Sequence, residues 1–103
     1  MKAVKVTYTV RSEFAAKNKE NIKAFLDEVK QIGDPGMRYN VFVAEDGKTF
    51  SHLSMYTNDD SQARFLNLES FKSFQKQRDE SGLEAKPKIE AFTLFQSSHD
   101  VFN

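Results

Sequence analysis

His52 is the residue whose type and position in this sequence could best support acid–base chemistry. It stands in the middle of an alternating run rich in β-forming residues, close to Phe50, Ser54 and Tyr56. A neutral imidazole in such a place can accept a proton near pH 7 or bind a ligand. A histidine there can equally be a hydrogen-bonded part of the core, so the sequence leaves both interpretations open.

The neighbours of His52 depend on the turn that leads into its strand. Two β-rich runs, residues 37–44 and 49–56, flank a turn that contains Asp46 and Gly47. An Asp-Gly pair between alternating apolar residues is a strong β-hairpin signal. We therefore expect these runs to be the second and third strands of a sheet, joined by a tight turn.

Two registers of this hairpin are compatible with the sequence. A two-residue turn places His52 on the same face as Tyr39 and Val41, packed under the helices. A three-residue turn, with Gly47 in a left-handed conformation, places it on the other face and gathers a polar and aromatic surface suited to a small aromatic or quinone-like molecule. On that surface His52 is the candidate catalytic residue, and the candidate ligand-binding residues are Arg38, Asn40, Ser54 and Tyr56.

Other chemical signals in the sequence are weaker. The three tyrosines, at positions 8, 39 and 56, could hydrogen-bond a phenolic or carbonyl ligand, although tyrosines in strands are commonly core residues. A chain with no Cys and two His would need a metal site built from carboxylates, and the acidic residues show no ligand spacing. The four Gly lie at turns and helix ends instead of in a phosphate-binding loop. We expect neither a metal nor a cofactor.

The charge balance limits the classes of binding partner, and the absence of Cys indicates the cellular compartment. Fifteen basic and fifteen acidic residues cancel, which argues against binding to nucleic acid or to an anionic membrane surface. The strand order is shared with RNA-recognition domains, but the third strand lacks their basic-Gly-aromatic signature. No signal peptide or membrane-spanning run is evident, and a chain without Cys suits a reducing cytoplasm.

The order of elements predicts one α+β domain over residues 1–97, followed by a tail at 98–103. Strand one is expected at residues 3–10, helix one ends at Gly33, and helix two follows the hairpin with a break at residues 67–70, where Ser70 could cap a second piece. Strand four is expected at residues 89–95. A β-α-β-β-α-β order folds most simply into a ferredoxin-like, four-stranded antiparallel sheet of order 4-1-3-2, with both helices on one face.

The second face of this sheet carries too many apolar residues for a monomer. Phe42, Leu53 and Met55 are out of phase with the residues that face the helices, and strand four is apolar in both phases. An exposed apolar patch of this kind marks an interface. We therefore expect a homodimer in which two sheets pack face to face.

Over residues 2–97 the chain resembles the dimeric α/β-barrel superfamily, and in particular its antibiotic biosynthesis monooxygenase-like branch. The more specific likeness runs from Thr49 to Phe74, although Ser54 and Asn67 stand where that branch carries an acidic residue and a His. The resemblance implies a cofactor-independent monooxygenase acting on a small aromatic or quinone-type molecule inside the dimer. Haem degradation is less favoured, because the branch of the superfamily with that activity carries a Trp in its pocket and this chain has no Trp. The alternatives are a small-molecule-binding or stress-associated dimer without turnover, and a structural dimer.

Overall fold

A computed structural model describes residues 1–102, and Asn103, the last residue of the predicted tail, lies outside the described residues. The helices and strands are β1 (Lys2–Thr9), a 3-10 turn (Ser12–Phe14), α1 (Ala15–Ile32), β2 (Met37–Val43), β3 (Thr49–Tyr56), α2 (Asp59–Leu66), α3 (Glu69–Glu80) and β4 (Ala85–Thr93). The four strands form one antiparallel sheet in the order β2-β3-β1-β4, which confirms the predicted ferredoxin-like topology.

The core lies between one face of the sheet and the helices. Helix α1 packs along α3, and the residues at the centre of the core are almost entirely aromatic or aliphatic. Those that are least accessible are Tyr8, Val10, Phe25, Phe50, Phe65 and Phe74. Burying several rings of this size provides the main free energy that a domain of about 100 residues needs.

The β2–β3 hairpin adopts the first of the two registers. Val41 pairs with His52 and Val43 pairs with Phe50, which is the register expected for a two-residue turn. The turn itself is wider: the Ala44 amide donates to the Thr49 carbonyl and the Gly47 amide donates to the Ala44 carbonyl, so residues 45–48 form the loop. Gly47 has a φ of 75°, a left-handed conformation that favours glycine. The alternative register, which placed His52 beside Arg38 and Asn40, is therefore wrong. Because side chains alternate along a strand, a shift of one residue would have exchanged the two faces.

The helix boundaries follow local capping chemistry. Gly33, with a φ of 64°, ends α1, and Asn58 Oδ1 accepts a hydrogen bond from the Ser61 amide at the start of α2. The expected break between two helices is confirmed and lies at Asn67 and Leu68. Ser70, however, does not cap α3; Leu68 precedes the helix, and the Ser70 hydroxyl is buried without a hydrogen-bond partner.

Strand β4 begins earlier than its sequence indicated. The apolar run predicted residues 89–95, but the strand occupies Ala85–Thr93 and includes Pro87. The pairing of β1 with β4 shifts register between Thr7 and Thr9, where β4 has one extra residue. A proline is tolerated at such a bulge and on an edge strand, because its missing N–H interrupts no ladder there.

The face of the sheet opposite the helices is uncovered over much of its area. Phe42 is 60% exposed and Phe92 48% exposed, while Leu53 and Met55 on the central strand are half-buried. We call this surface the open face. At one end of it the C-terminal segment turns back, so that the Phe102 ring lies 5.3 Å from the Arg38 guanidinium.

Candidate functional site

His52 is held between two tyrosine hydroxyls under the helices. It lies on β3, is 3% exposed, and points toward the helices because it alternates with Ser51 and Leu53, which point the other way. Its Nε2 lies 2.8 Å from the Tyr8 hydroxyl and its Nδ1 lies 2.7 Å from the Tyr39 hydroxyl. Both ring nitrogens are therefore hydrogen-bonded, and the imidazole has one fixed orientation.

A fourth group extends this chain into α1 and determines the direction of its hydrogens. The Asn18 side-chain amide donates to the Tyr8 hydroxyl over 3.0 Å. Tyr8 therefore donates its own hydrogen to Nε2 of His52, and a neutral imidazole then carries its hydrogen on Nδ1. This N–H donates to Tyr39. The hydrogen of the Tyr39 hydroxyl is left free to point away from His52.

Burial keeps the imidazole uncharged. Desolvation is the main cause that lowers the pKa of His52 to about 3, and the positive charge of Arg78 lowers it further. Phe25 stacks on the imidazole at a centroid distance of 6.2 Å, and Phe74 lies at 5.4 Å. Proton acceptance at neutral pH requires a pKa near 7, so His52 in this environment is a neutral hydrogen-bonding group.

The two tyrosines that hold His52 also remain protonated. Burial raises the pKa of Tyr8 to about 12, although the Asn18 hydrogen bond and the charge of Arg78 act in the opposite direction. Burial likewise raises the pKa of Tyr39, and its proximity to Tyr56 and Tyr8 adds to the rise. At pH 7 both hydroxyls keep a hydrogen to donate.

Arg78 brings a positive charge to this aromatic environment. Its side chain, on α3, is 10% exposed, and the guanidinium carbon lies 5.1 Å from the Tyr8 ring centroid and 5.4 Å from that of Phe74. Cation–π contacts of this kind stabilise a partly desolvated guanidinium. Nε donates to Asp79 over 2.9 Å, the one hydrogen bond that this side chain makes within residues 1–102. The remaining guanidinium N–H groups are available to a ligand.

A small pocket brings these groups together between the sheet and α3. It has a volume of about 80 Å³, its polar wall is formed by Tyr39, His52, Gln75 and Arg78, and Phe71, Phe74 and Ile89 are among its apolar residues. A second cavity of about 610 Å³ shares Arg78, Pro87 and Ile89 with it. We call the first the inner pocket and the second the outer cavity. Arg78 lines both.

The structure brings together only part of the surface expected from the sequence. His52, Ser54 and Tyr56 are buried on the same face of β3, but neither Ser54 nor Tyr56 lines the inner pocket. The Ser54 hydroxyl instead lies 3.4 Å from the Val4 carbonyl oxygen. Arg38 and Asn40 project to the open face, because they alternate with the β2 residues that face the helices. The common surface that would have joined them to His52 does not form.

Sequence reasoning missed three polar residues that belong to the site. Arg78 follows Phe71 and Phe74 at helical spacing, and Asn18 precedes Ile22 and Phe25 in the same way. Each therefore falls on the buried stripe of its helix, where a polar residue requires a partner. Gln75 adjoins the same stripe on α3. A polar residue that interrupts an apolar stripe was the available signal.

Within residues 1–102, no three His, Cys, Asp or Glu side chains converge in a way that could hold a metal ion. Among the same residues, no helix is long and apolar enough to cross a membrane.

Comparisons with known proteins identify the fold. No protein-family model matches the chain, and no curated protein matches its sequence. Solved structures do match: an antibiotic biosynthesis monooxygenase has a TM-score of 0.78 at 10% identity, covering 93% of this chain and 100% of its own. SnoaB, a cofactor-independent oxygenase from Streptomyces nogalater, has a TM-score of 0.73 at 15% identity over 96% of this chain and 97% of its own. A conserved protein from Methanosarcina mazei Go1 has a TM-score of 0.73 at 16% identity, covering 88% of this chain and 89% of its own. The chain thus has the ferredoxin-like fold of the antibiotic biosynthesis monooxygenase-like proteins.

Proposed function

We propose that this protein is a cofactor-independent, monooxygenase-like enzyme that acts on a small aromatic or quinone-type molecule. The observation that carries the proposal is the inner pocket, where a nine-tenths-buried guanidinium and a tyrosine hydroxyl with a free hydrogen line one small space. The shared fold supports the same class of activity, because one of the matching structures is a cofactor-independent oxygenase.

The volumes of the two cavities limit how such a substrate could bind. The inner pocket, at about 80 Å³, is far smaller than the several hundred Å³ of ordinary ligand sites. It can admit an oxygen-bearing edge of a ring, since a water molecule occupies about 30 Å³. The body of the molecule would lie in the outer cavity of about 610 Å³. This favours a flat molecule with one oxygen directed toward Tyr39.

The charges in the pocket match the anion that such a reaction needs. Deprotonation of a substrate CH₂ that is conjugated with a ring carbonyl gives a delocalised anion, which Arg78 stabilises by its charge and Tyr39 by donating its free hydrogen to the substrate oxygen. The anion then transfers electrons to O₂. One oxygen atom becomes the carbonyl of the product, and the other leaves as water together with the two hydrogens of the original CH₂. The substrate itself is therefore the reductant.

His52 has a supporting role in this proposal. Its two nitrogens are occupied by Tyr8 and Tyr39, and its pKa of about 3 makes it a poor proton acceptor at pH 7. We assign it as the positioning residue that orients the Tyr39 hydroxyl toward the pocket. The substrate proton leaves to solvent, which is feasible for an anthrone-type molecule with an acidic CH₂.

The same pocket fits a second function, ligand binding without turnover. The observation that favours it is that, among the described residues that line the pocket, His52 is neutral and Tyr39 stays protonated, so neither accepts a proton at pH 7. In that case Arg78 and Tyr39 would bind a phenolate or carbonyl oxygen of the ligand, and no reaction would follow.

Oxygen uptake with a panel of hydroquinones and anthrones tests both functions. Native protein should consume O₂ with at least one compound, and Arg78→Met should reduce the rate by about 100-fold, the usual scale for a group that stabilises a developing anion. Lys76→Met, an exposed change on the same helix, is the matched control and should leave the rate unchanged. Saturable binding without O₂ uptake would support the binding function. Neither binding nor uptake would reject both.

The assembly that we propose for this enzyme is a homodimer with the open faces packed together. Phe42 and Phe92 are exposed there, and they flank the half-buried Leu53 and Met55 of the central strand. Covering this surface would remove apolar area from water and complete a dimeric α/β barrel. The absence of Cys is compatible with a cytoplasmic location, which we include in the proposal.

A further inference from the structure

The outer cavity has an apolar floor on the helix side of the sheet. Ile89 pairs with Val6, which pairs in turn with His52, so the Ile89 side chain points to the same side as that imidazole. Ile89 is nevertheless 71% exposed, because the described helices do not cover this part of β4. Leu83 and Pro87 line the same cavity. An open apolar surface beside a few polar groups is typical of a site for the body of an organic ligand.

Two cations lie in the wall of this cavity. Arg78 and Lys86 both line it, and Asp79 is the acidic residue among its described lining. The Asp79 carboxylate already accepts the hydrogen bond from Nε of Arg78 over 2.9 Å. One positive charge in the wall is therefore left without a counter-charge.

Lys86 is the cation that lacks a partner. Its side chain is exposed, and within residues 1–102 it forms no ion pair. Glu84, two residues earlier, is paired instead with Lys48 over 2.8 Å. A lysine can lay its methylene groups on an apolar surface while its ammonium group reaches a charged partner. Lys86 is thus free to bind an anion beside the apolar floor.

The bulge in β4 is what brings Lys86 to this side of the sheet. Lys88 pairs with Thr7 and lies on the open face, so simple alternation would place Lys86 on the open face as well. The register shift instead leaves two residues, Lys86 and Pro87, opposite the buried Tyr8. A bulge redirects side chains in this way and is common next to active sites. The extra residue therefore has a consequence for the cavity as well as for the strand.

We propose that the outer cavity contains a carboxylate subsite at Lys86, so that the enzyme selects an anthrone-type substrate with a carboxylate remote from its ring carbonyl. The carbonyl oxygen meets Arg78 and Tyr39 in the inner pocket, the rings lie on Ile89, and the carboxylate binds Lys86. The inference rests on the proposed function, because it takes the same two cavities as the substrate site. It adds the chemical class of molecule that this site selects.

The charges of the cavity favour a carboxylate over a phosphate. A phosphate ester carries between one and two negative charges near pH 7. Only one positive charge in the wall is unmatched, and the Asp79 carboxylate would repel the additional negative charge. A carboxylate carries a single charge and matches Lys86.

A fatty acid fits the same space less well. Its carboxylate would bind Lys86, but its hydrocarbon chain brings no oxygen to the inner pocket. The free hydrogen of Tyr39 and the unbonded N–H groups of Arg78 would then lack an acceptor in a space with little access to water. A ring system with an oxygen at each end satisfies both cavities.

The subsite is compatible with the proposed homodimer. Packing of the open faces covers the opposite side of the sheet, and pairing of strand edges engages backbone groups. The proposed contacts are made by the side chains of Arg78, Lys86 and Ile89 on the helix side. The dimer can therefore be tested as it exists.

Binding of two unreactive analogues tests the subsite. Anthraquinone-2-carboxylate and anthraquinone-2-carboxamide both have ring carbonyls and no CH₂ to oxidise, and they differ in charge. Equilibrium dialysis measures their binding to native protein, K86M, K86R and K76M. Lys86→Arg keeps the charge, and Lys76→Met removes an exposed lysine of α3 that lines neither cavity.

The expected result is a charge preference that depends on Lys86. Native protein, K86R and K76M should bind the carboxylate about fivefold more tightly than the carboxamide, the upper range for an exposed ion pair, and added salt should reduce the difference. K86M should bind the two analogues alike. A preference that persists in K86M, equal affinities in native protein, or no binding of either analogue would overturn the proposal. Stronger binding of decanoate than of anthraquinone-2-carboxylate would indicate a fatty acid site and would also contradict it.

Oxygen uptake distinguishes failure of the subsite from failure of the enzymatic function. The substrates are anthrone-2-carboxylate and anthrone-2-carboxamide, which have the reactive CH₂. K86M should raise KM for the carboxylate about fivefold and leave kcat unchanged, because the ion pair is the same in the bound substrate and in the transition state. Turnover of both substrates with equal KM in native protein would reject the subsite and leave the enzyme standing. A Lys86-dependent charge preference without turnover would support the subsite and reject the enzymatic function.

Discussion

The hydroxyl of Tyr39 lies 2.7 Å from Nδ1 of His52, on the strand next to it. This contact joins the wall of the inner pocket to a buried chain that continues through Tyr8 to Asn18 on α1. Because every link is a hydrogen bond between groups with little access to water, the chain fixes both the protonation state of His52 and the direction of the Tyr39 hydrogen. The chemistry of the pocket therefore depends on residues that do not line it.

The first prediction compares the two tyrosines that hold His52. Tyr8→Phe removes the partner of both Asn18 and Nε2 of His52, whereas Tyr39→Phe removes the partner of Nδ1 alone. Since each unpaired buried polar group costs about 1–3 kcal/mol, Tyr8→Phe should lower the free energy of unfolding about twice as much as Tyr39→Phe. Urea unfolding of the two variants, which keep the same ring, provides the measurement. Equal losses would mean that Asn18 is not held by Tyr8 in solution.

The second prediction concerns pH. The pKa of His52 is about 3 in the folded protein and near its ordinary 6.5 in the unfolded chain. Below pH 6.5 His52 binds a proton in the unfolded chain but not in the folded protein. The stability that the neutral imidazole contributes is therefore present above pH 6.5 and is lost as the pH falls toward 3. The free energy of unfolding should fall by up to about 1.4 kcal/mol per pH unit between about pH 6 and pH 4.5.

His52→Gln isolates this contribution. Glutamine can hydrogen-bond in the same place but does not titrate, so the slope of stability against pH should flatten in the variant. Between about pH 6 and pH 4.5 the carboxylates of Asp34 and Asp46 do not interfere, because hydrogen bonds lower their pKa values. Their contribution to the free energy of unfolding is lost only at more acidic pH. Urea titrations at several pH values compare native protein and variant. Parallel slopes would contradict burial of a neutral histidine.

The third prediction separates the two causes that lower the pKa of His52. Desolvation is the larger and the charge of Arg78 the smaller. Arg78→Met keeps most of the side-chain volume and removes the charge, so the pKa of His52 should rise but stay below 6.5. ¹⁵N NMR of the imidazole during an acid titration measures it directly, and Lys76→Met is the control for loss of an exposed charge. A pKa that does not move would mean that the guanidinium lies farther from His52 in solution.

The sequence was sufficient to predict the fold because strand alternation, helix caps and the Asp-Gly turn are local signals. The sheet order followed from the element order, and the break between α2 and α3 was expected at the residues where it occurs. The beginning of β4 was not predicted, because the apolar run starts only at Ile89 and the bulge against β1 is what makes Pro87 compatible with a strand.

The site was less predictable than the fold for a geometric reason. Both registers of the hairpin were compatible with the turn residues, and the choice between them decides whether His52 faces the helices or the open face. Arg78 and Asn18 belong to helices that are distant in sequence from β3, so their contacts with the tyrosines depend on how helix and sheet pack. Packing of this kind is a tertiary property that no single segment encodes.

The last prediction tests the homodimer that we propose for the open face. Phe42 is 60% exposed in the single chain, so Phe42→Asp should not disturb the folded monomer, since surface substitutions usually change stability by about 0.5 kcal/mol or less. In a dimer with packed open faces it would bury an unpaired carboxylate, which a dimer interface tolerates poorly. Sedimentation velocity at micromolar concentration should therefore give a dimer for native protein and a folded monomer for Phe42→Asp. Leu66→Asp, on α2 and 47% exposed, is the matched control and should remain dimeric. A native protein that sediments as a monomer, or dissociation of the Leu66→Asp control as well, would contradict assembly through the open face.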